Sequence, residues 1–305
     1  MDTVIILMST YNGERFLKEQ LDSIFLQEGV DIHLCVRDDG SIDNTLKILF
    51  DYKKKFDKKI DILIGENLGW KKSFFELLKY ATVNYSNYNY FAFADQDDIW
   101  LSKKIISGIE IIKKFPAGPN LYCSNLYYYK DGINHGKIRK TLLKPTLKQC
   151  LVRNYAIGCT IIFNKNLLDV INNRFPEIIV PHDYWIYQVA TICGNVCIDN
   201  NAYILYRQHA DNQVGCKSSW GEVWHRRIKN FSTTLKQHNR EEQANELLKQ
   251  YQSIMSEEAL EAVLKISTYR NCILNRLKLL FDNGYGMGRF SNTFWLKLRI
   301  LFGKL

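Results

Sequence analysis

The first hundred residues switch repeatedly between two hydrophobic periods, and this alternation limits the folds open to the chain more than any other feature. Residues 3–8 run Thr3, Val4, Ile5, Ile6, Leu7, Met8, an apolar stretch of buried-strand length. A polar loop, Ser9-Thr10-Tyr11-Asn12-Gly13, follows. Residues 14–27 then place Phe16, Leu17, Leu21, Ile24 and Phe25 on one helical face. The same unit recurs as strand 32–37, loop Asp38-Asp39-Gly40-Ser41 and helix 44–56. It recurs again as strand 60–64, a loop around Asn67-Leu68-Gly69 and helix 70–83. In the fourth unit, strand 90–94 ends in Asp95-Gln96-Asp97-Asp98 and helix 101–115 follows. Strand–helix repetition of this kind predicts a mainly parallel α/β sheet with right-handed crossovers. Ligands bind at the carboxyl ends of such strands, where three of these four loops carry clusters of polar side chains.

Beyond residue 121 the pattern becomes mixed. Strands are expected at 122–129 and 158–163, a helix from Lys165, a helix at 184–193, and short strands at 196–198 and 202–206. From Trp220 the chain is helical and basic. A boundary near Ser218 therefore divides residues 1–218, with the strand–helix units in 1–115 and the mixed pattern in 116–218, from a helical extension at 219–305.

Net charge narrows the partners. The 41 Lys and Arg exceed the 32 Asp and Glu to give +9, which suits nucleotides, lipid phosphates or an anionic membrane surface. Nucleic acid is disfavoured, because the conspicuous loops are acidic and aromatics do not interleave with Lys and Arg in a recognisable module. No apolar run approaches the ~18–20 residues that cross a bilayer. The eight cysteines are scattered, Cys193 and Cys197 do not match a zinc signature, and Met1-Asp2 runs straight into a strand. A cytoplasmic protein with reduced thiols is expected.

Three carboxylates in the four residues 95–98 repel one another and cannot all be buried without a cation. They offer hard oxygen ligands for Mg²⁺ or Mn²⁺, at ~2.1 Å for Mg²⁺, with phosphates completing the shell. They can also serve simply as an exposed loop capping the next helix. Asp38-Asp39-Gly40-Ser41 suits a tight turn, while a carboxylate there can accept the imino N–H of uracil or thymine. Tyr11 can stack on that base or pack into the core. Asp183, following His182, is either an N-cap or a general base for an acceptor hydroxyl. Arg207 and His209, near Asn212 and Gly215, provide a cation and an imidazole suited to a diphosphate–metal complex.

Taken in order, Ser-Thr-Tyr-Asn-Gly at 9–13, Asp-Asp-Gly-Ser-Ile-Asp at 38–43, Asn-Leu-Gly at 67–69 and Ala-Asp-Gln-Asp-Asp-Ile-Trp at 94–100 resemble the family-2 glycosyltransferases. Gly-Cys-Thr at 158–160, His-Asp-Tyr-Trp at 182–185 and Tyr-Arg-Gln-His at 206–209 extend the match over the first two-thirds of the chain. The branch it looks most like makes bacterial surface polysaccharide and is often labelled rhamnosyltransferase. The resemblance implies the GT-A fold, a divalent metal (Mg or Mn), a nucleotide-diphosphate sugar donor and a lipid-linked saccharide acceptor. It implies donor contacts from Thr10, Tyr11, Asp39, Asn67, Lys72, Asp95 and Arg207, with Asp97 and His209 on the metal and Asp183 as the base. His182 stands where the family usually has an acidic residue. The Gln-x-x-Arg-Trp motif of processive synthases is missing, so a single transfer per encounter is expected. Rhamnose from a dTDP donor is the first expectation, a UDP-hexose the second, and the inner face of the cell membrane the implied location.

Two other readings remain at this point: a nucleotidyltransferase, although residues 9–13 lack a Gly-rich basic phosphate loop, and a basic binding module without catalysis. The tail at 290–305 places Phe294, Leu298 and Leu301 on one helical face, with Trp295 and Phe302 beside it and Lys297, Arg299 and Lys304 among them. Such a segment either lies in a membrane interface or docks on the protein's own core.

Overall fold

The computed structural model describes residues 1–139, 145–209, 239–288 and 290–305. The expected boundary at Ser218, together with Asn212, Gly215 and Cys216, lies outside the described residues.

The four strand–helix units form as the periodicity predicts. Strands β1 (Asp2–Thr10), β2 (Val30–Asp38), β3 (Ile60–Ile64) and β4 (Tyr90–Ala94) alternate with α1 (Leu17–Phe25), α2 (Thr45–Lys55) and α3 (Trp70–Asn84). Strand β1 pairs in parallel with both β2 and β4, and β2 in parallel with β3. Successive side chains of a strand face opposite ways, and β1 divides accordingly. Ile5 and Leu7 join the apolar cluster under α3, while Val4, Ile6 and Met8 join the one holding Leu17, Leu21 and Leu49 of α1 and α2.

The second half completes one sheet ordered β3-β2-β1-β4-β8-β6-β9-β5. Its elements are β5 (Ile99–Trp100), α4 (Lys104–Ile112), β6 (Asn120–Lys130), β7 (Ile133–Lys137), α5 (Leu147–Val152), β8 (Ile161–Asn164), α6 (Lys165–Ile171), α7 (His182–Cys193) and β9 (Asn195–Arg207). Strand β8 runs antiparallel between β4 and β6, and β7 hangs antiparallel from β6.

Several expectations change here. The helix foreseen from residue 101 starts at Lys104, because Ile99 and Trp100 are drawn into pairing with β9. Residues 158–160 are a 3₁₀ turn rather than the start of a strand. The two short strands after residue 195 are one strand whose register against β6 shifts twice, between Cys123 and Asn125 and again before Tyr127. Neither β7 nor α5 is foreseen. The α5 N-terminus is fixed by a capping box, in which Thr146 and Gln149 exchange hydrogen bonds.

Four helices close the described chain: α8 (Asn239–Tyr251), α9 (Glu257–Ser267), α10 (Ile273–Phe281) and α11 (Phe290–Leu301). Leu247, Tyr251, Val263, Ile266, Leu279, Leu296 and Ile300 join the same core cluster as α5 and α7. The core-docking reading of the tail holds for one of its faces. Leu296, Ile300 and Leu305 are buried, whereas Phe290, Phe294, Leu301 and Phe302 are exposed. None of the described helices is long and apolar enough to cross a membrane.

Candidate active site

The loops after β1, β2, β3 and β4 converge at the carboxyl edge of the sheet and are tied together by short polar contacts. Asp38, wholly buried, accepts from the Ser41 amide (2.9 Å), the Ser41 hydroxyl (2.6 Å) and the Thr10 hydroxyl (3.0 Å). Thr10 is therefore buried with its side chain spent on Asp38, and it acts on the site by holding the loop. Asp39 accepts from the amides of Leu68 (3.0 Å) and Gly69 (2.8 Å) and from the Arg37 guanidinium. Arg37 also donates to Ser73 Oγ (3.0 Å) and the Glu66 carbonyl (3.0 Å), so one buried cation fastens the β3–α3 loop to the end of β2. Gly69 begins α3 with φ +77°, a conformation that favours glycine. Asn67 lies exposed beside it and accepts from the same amide at 3.0 Å.

Gln96, in the middle of the acidic loop, reaches back to the first loop. It accepts from the Tyr11 amide (2.9 Å) and donates to the Tyr11 carbonyl (3.0 Å). Gly13 leaves the room for this, since a Cβ there would overlap the Gln96 amide. The clamp leaves the Tyr11 ring 45% exposed at the rim rather than packed in the core.

The acidic loop splits in two directions. Asp97 meets His209 Nε2 at 2.7 Å, and Asp95 remains partly accessible. Asp98 turns inward. Its Oδ1 accepts from the Arg207 amide (3.1 Å), and the Cys159 thiol lies against the same carboxyl. Arg207 Nε donates to the Asp97 carbonyl (2.9 Å), and its guanidinium pairs with Glu19 above the Phe16 ring. The end of β9 is thereby stapled to both the acidic loop and α1. Beneath Asp98 lies Lys104, also buried, with Nζ 3.6 Å from the centre of the Trp100 ring and without a hydrogen-bond partner among the described residues. Burial pushes Lys104 down to about 7, and burial, then Asp97 and Asp95, push Asp98 well above the carboxylate range.

Asp183 opens α7. Its carboxylate accepts from the Tyr184 amide (2.7 Å) and from Asn154 Nδ2 (3.1 Å). Burial outweighs these bonds and raises its carboxyl to about 6, a value suited to accepting a proton near neutral pH. Asp95 is raised to about 7 by burial and by the neighbouring charges of Asp97 and Asp183. The expected base and the expected metal loop thus feel one another. His182 lies under the base, stacked on Phe74 at 3.8 Å and edge-on to Phe93 at 4.6 Å. Both its ring nitrogens lack partners among the described residues, and burial pushes it down to about 3, so it is a neutral packing group.

Residues 5–175 match the pattern of the family described as Glycosyl transferase family 2. The chain belongs to that family. It is 37% identical over 227 residues to the dTDP-rhamnosyl transferase RfbG of Shigella flexneri, covering 70% of this chain and 75% of that one. It is 26% identical over 204 residues to the UDP-Glc:alpha-D-GlcNAc-diphosphoundecaprenol beta-1,3-glucosyltransferase WfgD of Escherichia coli, covering 66% and 74%. Its fold matches the mannosyltransferase PcManGT of Pyrobaculum calidifontis, solved with GDP-Man and Mn²⁺. That match has TM-score 0.54, 14% identity, and coverage of 99% of this chain and 88% of the other. The protein is a glycosyltransferase with the GT-A fold, and the nucleotidyltransferase and non-catalytic readings fall away.

Enzymes of this fold commonly use a divalent metal, and the side chains present fit one. The Asp95, Asp97 and Asp98 carboxylates crowd together, and burial followed by the charges of Asp97 and Asp183 disfavours an ionised Asp95, a cost that a cation relieves. Ligand atoms of Asp95, Asp98 and Cys159 lie within 4.8 Å of one another. Asp98 and Cys159 are fully buried, however, and burial drives both toward their protonated forms. A hard cation carrying nucleotide phosphates is better matched by the accessible side, where Asp97 and His209 meet.

Sequence reasoning missed Gln96, Arg37, Lys104 and Asn154. Only Gln96 had a signal, since it lies inside the acidic motif. Lys72, expected on the donor, lines a groove on the flank of α3.

Proposed function

We propose that this glycosyltransferase moves L-rhamnose from dTDP-rhamnose, with inversion, to a hydroxyl of a lipid-linked oligosaccharide during bacterial surface-polysaccharide synthesis. The observation that carries the chemistry is Asp183. Its carboxyl is raised to about 6, beside the acidic loop that receives the donor diphosphate. The named activity of the Shigella relative supports the donor, and that of the Escherichia coli relative supports the lipid diphosphate.

Tyr11 offers its exposed ring to the base. An ionised carboxylate has about four acceptor sites. Leu68, Gly69 and Arg37 occupy three on Asp39, which leaves one for a pyrimidine imino N–H. Asn67 borders the donor from the loop before α3, Asp95 faces its ribose, and Arg207 holds the acidic loop in register. Asp97 and His209 hold Mg²⁺ or Mn²⁺, which when bound supplies positive charge against the departing diphosphate. Asp183 accepts the proton of the acceptor hydroxyl as that oxygen bonds to the anomeric carbon. The bond from that carbon to the diphosphate oxygen breaks on the opposite face, so one displacement inverts the centre.

Contact with the inner membrane face falls to the outer sides of α10 and α11. Ile273, Leu274, Leu277 and Phe281 are exposed on one helix and Phe290, Phe294, Leu301 and Phe302 on or just beyond the other, with Lys278 and Lys297 among them.

The test is transfer from a panel of dTDP- and UDP-sugars to a polyprenyl-diphosphate-linked saccharide, with the anomeric configuration of the product read by NMR. Inverted rhamnoside from dTDP-rhamnose is expected. Transfer from UDP-hexoses alone, or with retention, overturns the proposal.

A further inference from the structure

We propose that the groove between α3 and residues 175–180 binds the diphosphate and first isoprenoid units of the acceptor's lipid carrier. This rests on the lipid-linked acceptor reading above and assigns it a place. The groove has a volume of about 340 Å³. Its apolar wall includes Phe75, Phe175 and Ile178, with Phe75 and Phe175 meeting edge-on at 6.4 Å. Lys71, Lys72 and Lys79 line the α3 side.

The charge balance favours an anion. The two carboxylates that line the groove, Glu76 and Glu177, each already meet a lysine: Glu76 pairs with Lys79 at 2.8 Å and Glu177 with Lys249 at 2.5 Å. Lys71 and Lys72 are left to set the sign of the rim. A free phosphate gains nothing from the aromatic wall, and a neutral saccharide gains little from the lysines. An anionic amphiphile uses both surfaces.

The groove is also fastened to the base. Its lining ends at Val180, and after Pro181 the chain enters α7 with His182 and Asp183. His182 stacks on Phe74, the residue beside groove-lining Phe75. A carrier held along α3 would touch the segment that leads directly into the helix bearing Asp183.

Calorimetric titration of the full chain with farnesyl diphosphate tests this, using Lys71→Glu/Lys79→Glu and, separately, Ile179→Asp at a 66% exposed position. Binding to the unaltered chain is expected, weakened at least tenfold in both variants, with dTDP binding and Tm unchanged. Equal binding of farnesyl diphosphate by all three proteins overturns the groove assignment alone. Failure of the unaltered chain to bind it overturns the lipid-linked acceptor reading and the groove with it. Equally tight binding of inorganic diphosphate removes the isoprenoid part. Variants that lose anionic vesicle binding but keep farnesyl diphosphate would make the groove a bilayer contact and contradict the proposal.

Discussion

The loops after β1, β2 and β3 and the centre around Asp183 treat their polar atoms in opposite ways. In the first region nearly every buried polar group has a partner: Asp38 has three, and Arg37 joins Asp39, Ser73 and Glu66. In the second, Lys104 Nζ and both nitrogens of His182 have none within the described residues, and Asp183 is held at a raised pKa. Satisfied groups fix a loop in one geometry before ligand arrives. Unsatisfied ones store an electrostatic demand that substrate, metal or proton can meet. Substitutions in the two regions should therefore fail differently, the first by losing structure and the second by losing chemistry.

The sharpest contrast comes from Asp183→Asn. Turnover should fall by roughly 10²–10⁴-fold, the usual contribution of a positioned general base, while dTDP binding survives. Because the Asp183 pKa is raised on folding, its ionised form costs stability fully above about pH 6, and the cost fades as pH falls toward the ordinary carboxylate range. The variant's Tm at pH 8 should thus be no lower than that of the unaltered chain. A large drop in Tm would erase the distinction between the regions.

Arg37→Met should behave in the reverse way. It strands the buried Asp39 carboxylate, a change that typically costs about 3–5 kcal/mol. A lowered denaturation midpoint and weak dTDP binding are expected together. Normal stability with weak binding would place Arg37 on the ligand instead.

Gly158→Ala should have the smallest effect. Its Cβ would come within 3.1 Å of His182 Nε2 and 3.6 Å of Asp183 Cβ. A shift of a few tenths of an ångström in the base should lower kcat several-fold with KM for the donor unchanged. A change in donor KM alone would show that the turn serves the nucleotide side.

How far the sequence exposed this arrangement follows the same divide. The nucleotide half was legible because each of its strands and helices carries its own period, and β3 and β4 fall on the foreseen bounds. The bulged β9 was not, since two register shifts break its alternation into what reads as two short strands. Strand β7 has little burial to pattern it. Asp95, Asp97, His209 and Asp183 were singled out together because the order of their motifs resembles the family, and the structure brings Asp97 to His209 and Asp95 within reach of the Asp183 charge. Lys104 was invisible for the opposite reason: a lysine in a helix reads as solvent-facing, and only the tertiary approach of Trp100 and Asp98 reveals that it is buried.

The central claim is that Asp183 takes the acceptor proton, and the pH dependence of kcat tests it most directly. The groups facing the carboxylate are the Tyr184 and Gly158 amides, Asn154, Asp95 and the neutral His182. Ionised Asp183 is the active form, so turnover should fall as pH drops through about 6, with tenfold loss per unit below it. Asp183→Asn should have low, residual turnover without that limb. An unaltered chain whose turnover holds constant to pH 4, or a variant that keeps the limb near 6, would contradict the assignment.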